Sequence, residues 1–262
     1  PETGAVFEAP RTEAELGADM RLRLPGLVRE RRYEVVMGAA VIRAVRRFRG
    51  GEYPTFRSLL DRMVLDRRAV ARVMGESYPQ SFGVRGARPP TPIFNGPYAG
   101  LGDEALAFVA EGGLPHPLDP SIRVLSQRAI LPESGREVEL TQVRAVRHPD
   151  GSSAGAWFHM DPDDSDLVLR HVETLYQRVL AVGLSRTQTI QLVAEMHWWL
   201  AHAAPFRRGG DEIVGASLRA LLMSRGVEIG AWREGVAPVQ RAYHRTLEEY
   251  VLEYPSLFEG SR

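Results

Sequence analysis

Nine consecutive residues set two arginines, two glycines and two carboxylates side by side: Ala204-Pro205-Phe206-Arg207-Arg208-Gly209-Gly210-Asp211-Glu212. An arginine pair can grip phosphate through planar, bidentate forks. A glycine pair lets backbone amides approach an anion closely. A carboxylate can take a proton from a hydroxyl, or orient one, when burial raises its pKa. Arg207, Arg208, Gly209 and Gly210 are therefore candidate ligand-binding residues, and Asp211 and Glu212 candidate catalytic residues. A plainer account fits the same residues. Two acids opening a helix cap it, suit its dipole and repel phosphate. An arginine pair beside a glycine turn is ordinary solvated surface.

Other candidates lie nearby. His202 is two residues before Ala204, which on a helix turns it about 200° away. Trp198 and Trp199 are adjacent and face different sides, one toward the core and the other toward a groove; Trp199 and His202 are taken as possible groove-lining residues. His197 sits on an apolar stripe and reads as a hydrogen-bonded core histidine. Upstream, Gln142 and Arg144 share one strand face and Arg147 takes the other; the register is open, and solvent exposure is the plainer account of both arginines. His159, Asp161, Asp163 and Asp164 offer oxygen-rich ligands, yet their place at a helix start is explained by capping. No metal site is assigned. No P-loop, H-E-x-x-H or cysteine-based zinc spacing occurs.

The elements that position these residues follow from periodicity. A helix is expected from about Leu27 to the arginine-rich, Gly50-Gly51 stop. Helices follow at about 54–64 and 67–75, then a long Pro/Gly-rich loop over 77–102 and a short helix at 103–111. Val138, Leu140, Val143, Ala145 and Val146 read as a strand, His148-Pro149-Asp150-Gly151 as a turn, and Ala154–His159 as the returning strand. Asp161-Pro162-Asp163-Asp164 opens a helix with Val168, Val172, Leu175 and Val179 on its face. Further helices start near Ser185 and Asp211, and a last one covers roughly 237–252.

Residues 194–226 resemble the core of the Fic/Doc (Fido) family. Its motif is H-P-F-x-[D/E]-G-N-G-R-x-x-R between two helices. Pro205-Phe206 and Gly209 match it, Leu218, Leu221 and Leu222 match the following helix, and His197 sits seven residues before the motif. The hairpin, Asp-Pro and helix of 139–163 have the order of that family's flap. The departures are specific. Ala204 stands where the family has its catalytic histidine, Arg208 where it has an acid, Gly210 for Asn, Asp211 for Gly, Glu212 for Arg and Gly215 for the last Arg. Standard AMP transfer by this loop is therefore not expected. A Fido-type fold without the usual motif is similar to the AvrB-like branch of plant-pathogen effectors.

Composition bounds the rest. The 262 residues carry formal net charge +0, no cysteine, and 33 basic residues that are all arginine. Neutral balance argues against nucleic-acid binding. No apolar run reaches about 18 residues, so no membrane span is expected. Pro1-Glu2-Thr3-Gly4 does not read as a signal peptide. The absence of lysine fits GC-rich coding, escape from ubiquitin in a host cytosol, or avoidance of free amines near an electrophile. The expected fold is mainly α, a Fido-like helical bundle with one β-hairpin flap. It forms a single domain over 1–262, with a core at 138–226 and an N-terminal helical extension over 1–137. The expected function is transfer of a nucleotide-linked group, nucleotidyl or sugar, to a hydroxyl of a protein or small molecule. The cofactor would be a nucleotide or nucleotide-sugar, with or without magnesium. A soluble chain of the bacterial cytoplasm, or one delivered into a host, fits this. The alternative is a catalytically silent module holding a peptide or partner.

Overall fold

Helix signals in the sequence map onto helices in the structure. The structure is a computed structural model in which residues 31–86, 90–93, 106–107, 109, 112–147, 153–233 and 236–259 are described. Helix α1 spans Arg31–Arg49 and α2 spans Phe56–Val73. Where two helices were expected over 54–75, α2 is continuous, because Leu59, Leu60, Met63, Val64, Val70 and Ala71 keep one buried stripe across it. Helix α3 spans Pro162–Leu180, capped by the Asp161 side chain, which accepts from the Asp163 N–H. Its buried face contains Val168, Val172, Leu175 and Val179, as the periodicity predicts. Helix α4, Arg186–Ala203, begins with a Ser185/Gln188 capping box, and α5 is Gly210–Ser224. The expected helix over 237–252 is two, α6 (Pro238–Tyr243) and α7 (Leu247–Glu253). Thr246 forms its own capping box with Glu249, and that starts a new helix.

The strands correct the mainly-α expectation: the chain is mixed α/β. Five antiparallel strands form one sheet in the order β1-β7-β6-β3-β2. They are β1 (Thr91–Ile93), β2 (Leu114–His116), β3 (Asp119–Leu125), β6 (Gln142–Arg147) and β7 (Ser153–Phe158). The expected hairpin is β6–β7, in register from Gln142↔Phe158 to Arg147↔Ser153. A separate two-stranded sheet pairs β4 (Arg128–Ile130) with β5 (Glu137–Glu139). Val138 therefore belongs to β5, and the run 138–146 is two strands broken at Leu140-Thr141. Strands β2 and β3 carry no alternation signal. Leu114-Pro115-His116 and Asp119-Pro120 contain residues that strands avoid, and most of their side chains are exposed, so no apolar face marks them.

Helix α3 packs along α4, and α1 and α2 pack on α5. One continuous core includes Met37, Leu59, Trp157, Val172, Trp199, Phe206 and Leu221. No helix among the described residues is long and apolar enough to cross a membrane. The expected start of the first helix at Leu27, residues 87–89 and 94–102 of the long loop, and the turn at 148–151 lie outside the described residues; of the short helix expected at 103–111, residues 106, 107 and 109 are described and helical.

Candidate functional site

The nine-residue loop is a built connection rather than a free turn. Helix α4 ends at Ala204, which adopts the left-handed conformation with φ 41°. Phe206 is buried and pairs with Arg85 in an antiparallel bridge. The Arg207 N–H donates to Val84 O at 2.9 Å, and the Gly83 N–H donates to Arg208 O at 3.1 Å. Residues 83–85 and 206–208 thus form a short ladder that fixes the loop. Gly209 sits at φ 71°, and a Cβ there would lie 2.5 Å from Phe82 Cδ1, so the position demands glycine.

The two arginines separate in role. Arg208 Nη1 donates to Ser77 O at 2.6 Å and Ser81 Oγ at 3.0 Å, and its guanidinium lies 4.1 Å from the Phe82 ring centroid. It holds the 77–82 turn. Arg207 is exposed and packs beside Gly86, where an added Cβ would be 3.4 Å from its Nε and Nη2. Asp211 is exposed in the first turn of α5. Glu212 is buried, forms an ion pair with Arg67 Nε, and accepts from the Tyr33 hydroxyl at 3.1 Å. Arg67 is fully buried, donates also to Glu76 at 2.9 Å, and its guanidinium lies 3.8 Å from the Phe82 ring centroid. Burial works against its charge, but the carboxylates of Glu76 and Glu212 outweigh burial and raise its pKa.

Beside the loop lies a cleft of about 400 Å³ whose walls include Arg57, Arg85, Gly86, His159, Ala204 and Pro205. A second chamber of about 270 Å³ adjoins it, lined by Glu139, Gln142, Arg144, Phe158, Asp161 and Asp164. His159 and Met160 line both, so they form the waist between the chambers. The charged side chains lining the first chamber are Arg57, Arg85 and Asp166. Arg57 and Arg85 converge on Asp61, at 3.9 and 3.5 Å, and both keep much of their surface in solvent. In the second, Arg144 lies 4.0 Å over the Phe158 ring, and its Nε and Nη2 donate to Gln142 Oε1 at 3.1 and 2.9 Å. The carboxylates opposite are positioned by neighbours: Asp164 pairs with Arg136 at 2.6 Å, and Glu139 accepts from Ser126 Oγ at 2.8 Å.

Buried polar pins join the walls. Ser165 Oγ donates to Ala203 O at 2.9 Å, tying the first turn of α3 to the end of α4. The Thr141 N–H donates to His202 Nδ1 at 3.3 Å, and Thr141 Oγ1 donates to His202 O at 3.3 Å. His202 Nε2 reaches Ala242 O at 3.2 Å, which assigns the proton to Nε2. Burial pushes the His202 pKa down to about 3, against the pull of the Ala242 carbonyl. A neutral His202 therefore docks strand β6 against the end of α4. Among the described residues no group of three or more His, Asp or Glu is placed to hold a metal.

The model of the avirulence-protein family AvrB_AvrC matches residues 126–261, which is 136 of 262 residues. The chain belongs to this family. A curated relative, avirulence protein B of Pseudomonas savastanoi pv. glycinea, is 30% identical over 102 residues, covering 39% of this chain and 32% of that protein. The chain thus matches about a third of that relative's length. The family-matching part holds His159, Arg144, the second chamber and the whole motif loop. Arg57, Arg85 and Arg67, which complete the cleft and brace the loop, lie before it.

Of the residues singled out from the sequence, the structure places Arg207 beside Gly86, a lining residue of the first chamber, and Arg144 in the lining of the second. Gly209 and Gly210 shape the loop, and Arg208 and Glu212 brace it from behind. Trp199 and His202 lie in the core, Trp199 edge-on to His171 at 5.2 Å. Arg147 is at the far end of β6, paired with Ser153. His197 is the expected core histidine, bonded to the Tyr254 hydroxyl at 3.1 Å. Sequence reasoning missed Arg57, Arg85 and the waist role of His159. Only Gly83 and Gly86, which flank Arg85, hinted at a special backbone there.

Proposed function

We propose that the two-chamber cleft transfers a nucleotide-linked group, nucleotidyl or sugar, from a donor to a hydroxyl of a protein or small molecule. The observation that carries this reading is a pair of adjoining chambers that share His159 and Met160, with Arg57, Arg85 and Asp166 lining the first and Glu139, Asp161, Asp164 and Arg144 lining the second. Arg57 and Arg85, with Arg207 beside Gly86, would hold the donor's phosphates by charge-assisted bonds. An acceptor hydroxyl in the second chamber would lie against Asp161, Asp164 and Gln142. Its oxygen bonds to the transferred group as the bond to the leaving phosphate breaks. The hydroxyl proton passes to His159, and the leaving phosphate takes the bonding electron pair, its negative charge stabilised by the arginines. Asp211 and Glu212 fit this step less well than His159, because the Glu212 carboxylate is committed to Arg67 and Tyr33. Membership of the avirulence family supports a host-delivered effector, and the Fic/Doc-like order of elements supports transfer chemistry.

The test is thermal shift with a panel of nucleoside triphosphates and nucleotide-sugars, with and without magnesium. A ligand at about 100 times its Kd raises stability by about 2.7 kcal/mol. Arg85→Gln should weaken that ligand about tenfold, the loss of one charge-assisted contact of about 1.4 kcal/mol. Unchanged affinity would remove Arg85 from the donor site. A second reading has its own observation: Ala204 brings no catalytic group to the loop. In that reading the cleft only holds a peptide or partner, and nucleotides and nucleotide-sugars give no shift while a protein ligand binds tightly.

A further inference from the structure

All 33 basic residues of this sequence are arginine, and the structure shows where that choice matters. One arginine, Arg67, uses two arms of the guanidinium fork, Nε and Nη2, in a way an ammonium could not reproduce, while Arg208 and Arg219 each bond through a single nitrogen. Arg67 spans Glu212 and Glu76 over Phe82, and Arg208 spans Ser77 and Ser81 over the same ring. The buried Arg219 spans the carbonyls of Ile229 and Gly230 from one nitrogen, at 2.8 and 2.6 Å. Elsewhere the fork has no such task. Arg72, Arg123, Arg170 and Arg178 are exposed on α2, β3 and α3 and hold no side-chain partner among the described residues. At such positions a point charge on a flexible stem serves equally well. Folding therefore does not require lysine to be absent.

The two side chains differ chemically in one respect that bears on a eukaryotic cytosol. Ubiquitin is carried as a thioester. A lysine amine uses its lone pair to attack the thioester carbonyl; the isopeptide C–N bond forms, the C–S bond breaks, the thiolate leaves with the electron pair, and the amine's proton goes to solvent. A guanidinium stays protonated at any cellular pH and has no lone pair to offer. We propose that the all-arginine surface keeps this chain from being conjugated to ubiquitin and degraded inside a host cell. The proposal rests on the host-delivery part of the function above, and on none of its transfer chemistry.

The test replaces Arg72, Arg123, Arg170 and Arg178 by lysine, singly and together. Charge is conserved, none of the four lines the cleft, and circular dichroism with a thermal melt confirms an unchanged fold. Parent and variants are incubated in a plant cell extract with ATP and ubiquitin, with and without a proteasome inhibitor. Conjugates are mapped as diglycine remnants on lysine after trypsin digestion. The expected result is remnants on the introduced lysines and a half-life shortened several-fold, restored by the inhibitor. Absence of remnants at all four lysines, or a half-life equal to the parent's, overturns the proposal. Nucleotide thermal shifts on the same variants read the donor site separately, so failure of one reading does not disguise failure of the other.

Discussion

Replacing Arg67 by Met tests whether the loop's acidic end is a brace rather than a catalytic group. Arg67 is fully buried and Glu212 is 8% exposed, so removing the guanidinium strands a carboxylate where water cannot reach it. Breaking a buried pair from one side costs about 3–5 kcal/mol, mostly the penalty of the uncompensated charge. The Tyr33 hydroxyl still donates to Glu212 and recovers part of this, while Glu76 is exposed enough to rehydrate. For a chain of this size each kcal/mol moves Tm by roughly 2–4 °C, so Arg67→Met should lower it by roughly 6–20 °C. Adding Glu212→Gln removes the stranded charge and keeps an acceptor for Tyr33. The double variant should therefore be more stable than Arg67→Met alone by at least about 2 kcal/mol, a coupling that a double-mutant cycle reads directly. Guanidinium denaturation and scanning calorimetry at neutral pH supply both numbers. A single variant costing under about 1 kcal/mol, or a double variant whose loss equals the sum of the singles, would refute the brace.

Further outcomes follow from the same structure. His197 and His202 are each pushed from 6.5 down to about 3 by burial, so the folded chain refuses protons that the unfolded chain takes up below pH 6.5. Their stabilisation is complete above that pH and falls by about 1.4 kcal/mol per unit for each residue on acidification, so denaturant melts should lose roughly 2–3 kcal/mol one unit below it. His171 opposes this trend. Burial lowers its pKa, but Glu195 and Glu133 outweigh burial and raise it, so its contribution is full in acid and is lost as pH rises through the folded value. Replacing His202 by Gln should roughly halve the acid slope, and an unchanged slope would show that His202 is not the neutral pin described. Gly209→Ala forces a Cβ to 2.5 Å from Phe82 at φ 71° and should cost about 1–3 kcal/mol in a thermal melt. A neutral effect would mean the loop ladder is loose.

Local chemistry made much of this chain legible. Asp161 and Ser185 are strong N-caps, and a cap acts through bonds within four residues, so two helix starts are legible in the sequence, while the Thr246 cap lies inside what reads as one helix over 237–252. The β6–β7 hairpin is legible because Val143, Ala145 and Trp157 alternate toward the core. The all-arginine composition and the run of arginines, glycines and acids at 204–212 are properties of sequence alone. What tertiary structure decided lies across long separations. Glu212 is a plausible base until Arg67, 145 residues away, and Tyr33, 179 away, occupy its carboxylate. His202 looks available until Thr141 and Ala242 bury both of its nitrogens. Arg85 carries no periodic signal and enters the cleft because residues 83–85 pair with 206–208. Strand β3 adds to the edge of β6, and β2 adds to β3, although the side chains of both lack a buried face. Caps and periodicity are set by near neighbours and are written in order along the chain. The protonation and availability of a functional group depend on which distant charges fold against it, and no short window of residues contains that.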